Sequence, residues 1–330
     1  MIVGVKGGKV MCTSILQIAN DGTHVFSRTM DWTSLQAGPV FVPREYRWQT
    51  DYNDRSFQNK YGILGTGRKR QFEFDISDGI NECGLSVQKL TFSHGAKLNQ
   101  ELDMGNVGLA PFELPFYLLG KYKSIREIIA DIENIQLMSG EDAVRPYENP
   151  HLHYAITDRS GQLLILEPDQ NPMKMIVNNY GVVTNAADFE KQAAKLADYL
   201  NIRSNLVAQR QVPQRISTGS FAGKKVPSSS YTPTGRFLRA VYYRERTDIP
   251  ENESENFVSS WHILNSVVVP KSKKYQANYT VYRTAFCLET RRYFFESYNS
   301  LLPIEISLSD EMLLRKEAKI YEVNDSLALG

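Results

Sequence analysis

Hydrophobic and polar residues alternate with a period of two in several short segments of the chain, a pattern typical of strands that bury one face. In the first third of the chain this pattern predicts strands at 12–18, 24–29, 40–43 and 84–92. Later in the chain it predicts strands at 152–157, 162–167, 174–177, 181–184, 279–288 and 292–298. Turn signals such as Asn20-Asp21-Gly22 separate successive strands.

Apolar residues at helical spacing lie between these blocks of strands. Ser124, with Glu127 three residues later, is a typical capping pair at the start of a helix. Further helices are predicted at 186–200, 235–243 and 256–267, and a less regular one at 115–122. Because strands and helices come in blocks rather than one by one, the pattern favours an α+β fold of layered antiparallel sheets covered by helices over a doubly wound parallel sheet.

Composition narrows the possible partners and compartment. The chain has 330 residues, 42% of them hydrophobic, and its 38 basic and 37 acidic side chains give a net charge of +1. This balance gives no reason to expect nucleic acid or an anionic membrane as a partner. No stretch reaches the roughly 18 apolar residues of a membrane span, and residues 1–11 lack the apolar run of a secretory signal. We therefore expect a cytoplasmic protein of one domain.

Several well-known catalytic motifs are absent from the sequence, and other candidate sites have a structural interpretation. The chain has neither a phosphate-binding glycine loop nor a Gly-x-Ser-x-Gly elbow. His151 and His153 share one face of a predicted strand, but without a third ligand nearby a structural role is favoured over a metal site. The basic run 67–71 is predicted to be a solvated loop. No metal or organic cofactor is expected.

Cys12 is the residue with the most suggestive setting. A cysteine at the start of a strand is usually a small buried hydrophobe, but Met11 directly precedes this one. If residues 1–11 were absent, Cys12 would carry both a thiol and a free α-amine. That amine has a reference pKa of about 8 and can act as general base for its own side chain. Two routes are open: translation that begins at Met11, or attack of Cys12 on the Met11 carbonyl with release of the peptide.

Sequence motifs in a consistent order connect this cysteine to a known family. The segments are Met11-Cys-Thr-Ser, Ser27-Arg-Thr-Met-Asp-Trp-Thr33, Gly79-Ile-Asn-Glu-Cys-Gly-Leu85, 152–158, 165–169, 181–185, 234–239 and 261–270. Together they resemble the choloylglycine hydrolase family of penicillin V acylases and conjugated bile salt hydrolases. The resemblance implies an N-terminal-nucleophile (Ntn) hydrolase with an αββα sandwich of two antiparallel sheets flanked by helices. It also implies a single domain over 12–330, a small-molecule amide substrate and a homotetramer.

The resemblance assigns a role to each matching residue beside the Cys12 nucleophile. Asp31 is implied to orient the α-amine, and Arg28 to keep the surroundings of the thiolate electropositive. The side chain of Asn185 and the backbone N–H of Thr91 are implied to hold the oxyanion. Arg236 matches the family's helix arginine near the nucleophile.

Each of these residues also has a purely structural interpretation. Arg28 and Asp31 have the spacing of an i, i+3 ion pair in a turn, worth about 0 to 1 kcal/mol. Asn185 directly precedes the predicted helix 186–200 and is a candidate N-cap. Arg236 would then be a solvated helix arginine.

The substrate is predicted less directly than the reaction. Thr29 after Arg28 resembles the acylase branch, and Trp32 is a candidate to line an apolar pocket for a phenoxyacetyl group. The main prediction is therefore a penicillin V acylase-like enzyme. Thr91 stands where acylases have Tyr and bile salt hydrolases Asn, so it does not decide the substrate. The segment 211–231 lacks the family's glycine-rich loop, which leaves assembly and specificity open.

Other functions remain as alternatives. Within the family, these are a conjugated bile salt hydrolase and an N-acyl homoserine lactone acylase. An acid ceramidase-like amidase fits the motif order less well. A non-catalytic binding protein on the same fold is the alternative from another class. The presence of Cys12, Arg28, Asp31 and Asn185 together argues against it.

Overall fold

The segments of alternating polarity form antiparallel strands. The computed structural model describes residues 12–92, 95–145, 147, 151–186, 188–200, 230–272, 274 and 277–323. Its strands are β1 Cys12–Ile18, β2 His24–Trp32, β3 Gly38–Val42, β4 Arg47–Gln49, β5 Ser56–Gln58, β6 Ile63–Lys69, β7 Phe74–Asn81, β8 Ser86–Thr91, β9 Val107–Leu109, β10 Ile135–Leu137, β11 Leu152–Thr157, β12 Leu163–Glu167, β13 Lys174–Val177, β14 Val182–Thr184, β15 Tyr279–Cys287, β16 Arg292–Ser297, β17 Ile304–Ser307 and β18 Lys319–Ile320. The helices are α1 Leu114–Lys121, α2 Ile125–Asp131, α3 Phe189–Leu200, α4 Pro233–Arg246, α5 Glu253–Asn265 and α6 Asp310–Leu313.

Two large sheets face each other in the described part of the chain. One has six strands in the order β14-β1-β2-β15-β16-β17, and the other has eight in the order β13-β12-β11-β8-β7-β6-β3-β18. Helices α4 and α5 cover the outer side of the six-stranded sheet, α1 covers β7 and β8, and the sheets meet where β1 approaches β8. This is the αββα sandwich that the resemblance implied.

Burial of β1 on both sides explains its composition. All seven of its residues are buried, including the polar Thr13, Ser14 and Gln17. The strand lies between β14 and β2, with helices on one side and the second sheet on the other. Polar side chains on the helix side therefore need partners from the helices, as Gln17 finds in Ser259 at 2.9 Å.

One expectation about the middle of the chain is wrong, and two strands there were not predicted. Strands β6 and β7 were not among the predicted elements, and the basic run 67–71 is not a solvated loop. Its first residues complete β6, which pairs with β7 up to Lys69. The guanidinium of Arg70 then pairs with Asp51 at 2.8 Å and with Glu73 at 2.7 Å. Pairing with β7 determines the conformation of this segment, because its own composition is equally suited to an exposed turn.

A β-bulge in β7 determines which side chains face the space between the sheets. Thr66 pairs with Asp78 and Gly67 pairs with Ile76, so Ser77 is the extra residue on β7. Side chains three residues apart on a regular strand point to opposite faces. The bulge removes this alternation, and both Asp75 and Asp78 face the eight-stranded sheet's inner side.

Asp78 joins the two sheets through a buried polar network. Its Oδ1 accepts hydrogen bonds from Thr66 at 2.8 Å and Thr284 at 3.0 Å, and its Oδ2 accepts one from Tyr282 at 2.7 Å. Arg28 Nη1 lies 3.5 Å from Oδ2, and both side chains are completely buried. Since Arg28, Thr284 and Tyr282 belong to the six-stranded sheet, this carboxylate connects one sheet to the other.

We expect Asp78→Ala to destabilise the protein by about 3 to 5 kcal/mol, because it leaves Arg28 as an uncompensated buried charge. Urea denaturation followed by circular dichroism measures the loss. Asp310→Ala is the matched control, since the Asp310 side chain is 92% exposed and pairs with Arg291 on the surface. Its cost should stay below about 1 kcal/mol. Equal losses in the two variants would contradict the structural importance of this network.

Candidate active site

Cys12 opens β1 at the edge of the space between the sheets. It pairs in register with Met30 of β2, and its Sγ lies 3.6 Å from the Met30 sulfur. The backbone N–H of Cys12 donates to Oδ1 of Asn185, which follows β14 on the other side of β1. The residue is only 1% exposed, so its sulfur lies among protein groups on the inner face of the six-stranded sheet.

Arg28 lies on the same face of β2 as Met30, two residues away. Its Nη1 donates to the carbonyls of Ser77 at 3.0 Å and Lys89 at 2.9 Å. The β7–β8 ladder ends at Asp78 and Gln88, one residue before these two carbonyls. The guanidinium therefore takes the place of the missing strand-to-strand hydrogen bonds.

The electrostatic surroundings of Arg28 keep it charged. Burial by itself lowers the pKa of a guanidinium, but attraction to Cys12, Tyr282 and Asp78 outweighs this cost and raises the pKa of Arg28. Burial raises the pKa of the Asp78 carboxyl, and Arg28 and the hydroxyl donors oppose that rise. Arg28 is thus a fixed positive charge close to the sulfur of Cys12.

Asp31 and Arg236 lie on the other face of the six-stranded sheet. Asp31 Oδ1 accepts a hydrogen bond from Thr280 at 2.6 Å, and its Oδ2 lies 3.9 Å from Arg236 Nη1. A bulge in β15 beside these residues turns Thr280 toward Asp31 while Tyr282 faces the inner side. Burial raises the pKa of Asp31 to about 6, against the opposing attraction of Arg236 and Arg28.

The Asp31 carboxylate is incompletely satisfied. Among the described residues no hydrogen-bond donor reaches its buried Oδ2. Asp31 lies one residue beyond the Cys12–Met30 pair, next to the end of β1 at which Cys12 carries its nitrogen. A buried acceptor without a donor costs about 1 to 3 kcal/mol unless it finds a partner.

Asn185 and Arg236 join the start of β1 to the neighbouring elements. Arg236, from α4, donates to the Cys12 carbonyl at 2.6 Å and to Asn185 Oδ1 at 3.1 Å. Asn185 Nδ2 donates to the Thr91 carbonyl at 3.0 Å. Since N–H and C=O of one strand residue point to the same edge, the Thr91 N–H also points toward Asn185 and away from β11.

Thus the structure brings all six implied catalytic residues together, and it contradicts the structural interpretations of Arg28 and Asp31, of Asn185 and of Arg236. Arg28 and Asp31 belong to a strand and pair with different partners, not with each other. Asn185 is not an N-cap, because the helix begins at Phe189 and Asp188 accepts from the Lys191 N–H instead. The Arg236 side chain is fully buried rather than solvated.

A cleft of about 810 Å³, including its open mouth, leads to Cys12. Its apolar wall contains Met30, Trp32, Phe112, Leu152 and Val281. Trp32 therefore lies where the sequence analysis expected a pocket-lining side chain. The segment 211–231 falls almost entirely outside the described residues, so its contribution to this cleft stays a prediction.

Sequence reasoning missed the charged and polar partners of the site. Asp78 and Tyr282, which hold Arg28, carried no motif that identified them, and Asp75 and Lys89 in the cleft were also missed. The available signal was the presence of acidic residues inside an otherwise apolar strand: Asp75 and Asp78 alternate with Phe74, Ile76 and Ile80. Buried strand carboxylates usually have a specific cationic or hydroxyl partner.

Three buried carboxylates elsewhere are close enough to share a cation: Asp51, Glu73 and Glu113. Asp51 pairs with Arg70 and Arg145, and Glu113 accepts the backbone N–H groups of Asp51 and Ala110. Burial raises the pKa of Glu113 to about 8. Arginines and backbone groups thus already occupy this cluster, and its residues do not line the cleft at Cys12.

The predicted histidine pair also has local structural contacts. His151 Nδ1 accepts a hydrogen bond from the Ala96 N–H at 3.0 Å. His153 is fully buried against Phe92, and burial lowers its pKa to about 3, so its ring is neutral.

Comparison with known proteins decides the family. The sequence profile of the linear amide C–N hydrolases, choloylglycine hydrolase family, matches residues 12–324. The chain belongs to this family. It is therefore a hydrolase of the class that cleaves linear amide C–N bonds, as the motifs predicted.

The chain resembles several curated bile salt hydrolases over nearly its whole length. It is 26% identical over 327 residues to a bile salt hydrolase/transferase of Clostridium perfringens, covering 97% of this chain and 99% of that one. It is also 26% identical over 334 residues to a bile salt hydrolase/transferase of Lactiplantibacillus plantarum, covering 95% and 100% of the two chains.

Solved structures confirm the fold. A variant of conjugated bile acid hydrolase from Clostridium perfringens superposes with a TM-score of 0.80 at 24% identity, covering 97% of this chain and 99% of that one. Penicillin V acylase from Agrobacterium tumefaciens gives 0.69 at 21% identity, covering 90% and 86%. In the described residues, no helix of the family member is long and apolar enough to cross a membrane.

Proposed function

We propose that this protein hydrolyses linear amides with Cys12 as an N-terminal nucleophile. The observation that carries the proposal is the convergence of Arg28, Asn185 and Arg236 on Cys12, within a family of amide hydrolases. Conjugated bile salts rank above penicillin V as substrates, since the similar curated proteins include bile salt hydrolases. The penicillin V reading, based on Thr29 and Trp32, becomes the second candidate.

In the proposed reaction the Cys12 thiolate attacks the amide carbonyl carbon. The negative charge that develops on the carbonyl oxygen is held by the Thr91 N–H and the Asn185 side-chain amide. The α-ammonium of Cys12 passes its proton to the leaving nitrogen as the C–N bond breaks. Water, deprotonated by the same amine, then attacks the thioester and releases the acid and the thiolate.

The fixed charges have separate functions in this scheme. Arg28 stabilises the negative charge of the attacking sulfur from the inner face of the sheet. Asp31 binds the α-ammonium through Oδ2, the buried oxygen that has no donor among the described residues. Arg236 is a positioning residue, because it holds the Cys12 carbonyl, Asn185 and Asp31 rather than the substrate.

A panel of three amides tests the function: glycocholate, penicillin V and an N-acyl homoserine lactone. We expect wild-type protein to release the amine from glycocholate fastest, and Cys12→Ala to release none. Cys12→Ser should fold normally but retain little activity, because an alcohol is much harder to deprotonate than a thiol. Full activity of Cys12→Ala would exclude the cysteine mechanism. A fully stable wild-type protein inactive on every amide would favour the binding-protein alternative.

The mechanism requires a free α-amine on Cys12, since an amide nitrogen at that position is not a base. Residues 1–11 lie outside the described part of the chain, and the family profile begins at residue 12. We expect the intact mass of active enzyme to correspond to a chain that starts at Cys12, with 12–330 forming one domain. Activity in a homogeneous preparation that still begins at Met1 would contradict the N-terminal-nucleophile assignment.

Asn185→Ala should reduce kcat by about 10² to 10³, the usual cost of one oxyanion donor. Thr91→Ala is the matched control: its proposed donor is backbone N–H, so kcat should stay within about tenfold of wild type. Thermal denaturation of both variants verifies that they are folded. A severe loss of kcat in Thr91→Ala would show that the hydroxyl, not the backbone, takes part. The homotetramer stays a prediction from the resemblance.

A further inference from the structure

The cleft beside Cys12 contains an ion pair that amide hydrolysis itself does not use. Lys89 and Asp75 both line it, and the Lys89 ammonium donates to Asp75 Oδ1. Their side chains are only 10% and 11% exposed. The rest of the wall is largely apolar, with Met30, Trp32 and Leu152 among its residues, and it also contains Arg68. A charged pair in such a wall has to be explained.

The strands place this pair close to Thr91, whose backbone N–H is a proposed oxyanion donor. Lys89 precedes Thr91 by two residues on β8, so both side chains lie on the same face, about 7 Å apart along the strand. Asp75, on the inner side of β7, reaches the Lys89 ammonium beyond the point where the β7–β8 ladder ends. Lys89 therefore lies close to the proposed oxyanion position at Thr91.

The two partners differ in what they can still bind. Asp75 uses both carboxylate oxygens, since Arg68 Nε donates to Oδ2 at 3.1 Å and Lys89 to Oδ1. An ammonium has three N–H donors, and among the described residues Asp75 is the hydrogen-bond partner that Lys89 has. The pair can thus donate to a ligand but has little capacity to accept, which favours an anionic group over a cationic one.

The small contribution of a buried ion pair to stability also favours a role in binding an anion. A buried ion pair often contributes nothing to stability, and apolar residues of equal volume are frequently as good or better. A cleft that received only apolar groups would gain affinity by losing this pair. Its presence is explained if a substrate group replaces the water that the Lys89 ammonium loses on burial.

We infer that Lys89, held in place by Asp75, is a specificity residue that binds an anionic group, such as a carboxylate, on the amide substrate. The inference rests on the proposed amide hydrolysis and adds to it the residue that binds the charge of the substrate. The anion can belong to the acyl half or to the amine half, because both halves extend from the oxyanion position at Thr91, and Lys89 lies only two residues from Thr91 on β8.

Three synthetic amides that share one aromatic acyl scaffold test the inference. The first is a neutral N-acylglycinamide. The second is the same compound with a carboxylate at the far end of the acyl group. The third is the corresponding N-acylglycine, whose carboxylate lies on the amine half. We expect kcat/KM of wild-type enzyme to favour one carboxylate substrate over its neutral partner by about 10- to 100-fold, the value of a charged hydrogen bond. The arm that shows the preference identifies the half that carries the anion.

Lys89→Met should reduce this preference to near unity, mainly by raising KM for the anionic substrate, while hydrolysis of the neutral amide continues. Lys89→Arg should keep most of it. The double variant Lys89→Met/Asp75→Asn removes the carboxylate that the single change strands, and it should behave like Lys89→Met. Arg283→Met is the matched control, since it breaks the part-buried Arg283–Glu296 pair, which lies outside the residues lining the cleft. It should leave the preference unchanged.

The possible failures are distinguishable. Hydrolysis of the neutral amide by wild-type enzyme without any preference for an anionic partner overturns the role of Lys89 and leaves the proposed function intact. An undiminished preference in Lys89→Met has the same consequence. Absence of hydrolysis of all three amides by wild-type enzyme, with Cys12 at the N-terminus, contradicts the proposed function instead. If the Met variants do not fold, the wild-type preference and its retention in Lys89→Arg decide the question.

Discussion

The guanidinium of Arg28 occupies the position at which the eight-stranded sheet opens. Two adjacent strands lose their hydrogen bonds there, and the carbonyls of Ser77 and Lys89 both accept from its Nη1. Backbone acceptors buried without donors are rarely tolerated, so the opening requires a donor from the other sheet. Asp78 balances the charge of that donor. A bulge, a cation and a carboxylate therefore depend on one another.

This arrangement also sets the surroundings of the nucleophile. Because Arg28 and Met30 share the inner face of β2, and Cys12 pairs with Met30, the cysteine sulfur lies beside a permanent positive charge. The carboxylate of Asp31 lies on the opposite face with Arg236. The site thus extends through the six-stranded sheet, with the thiol on one side and the residues that hold the chain end on the other.

Similarity and cleft chemistry answer different questions. An identity of 26% over nearly the whole chain indicates the fold and the type of bond that is cleaved. Selectivity depends on a few side chains in the cleft, where single contacts change transition-state binding by factors of ten or more. The Lys89–Asp75 pair in the cleft is the contact to which we assign selectivity for the charge of the substrate.

Much of the fold and site could be predicted from the sequence. Alternation along β1, β2, β8, β11 and β15 depends on local composition, and it predicted antiparallel layers before any pairing was known. The family resemblance implied that Cys12, Asn185 and Arg236 are neighbours, although 224 residues separate the arginine from the cysteine whose carbonyl it binds. The strands could be predicted because alternation is encoded by residue types within a short stretch, and the site residues because each lies in a short motif that matches the family.

Tertiary structure alone decided the partners of those residues. Residues 67–71 were predicted to form a loop, but residues 67–69 pair with β7. Asp75 and Asp78 share a face only because a bulge at Ser77 shifts the register. Asn185 read as a helix cap, but its amide contacts Cys12 and Thr91, which come from two other strands. The physical reason is the period of two along a strand: one inserted residue reverses every side chain beyond it, and only pairing with distant strands determines where that residue lies.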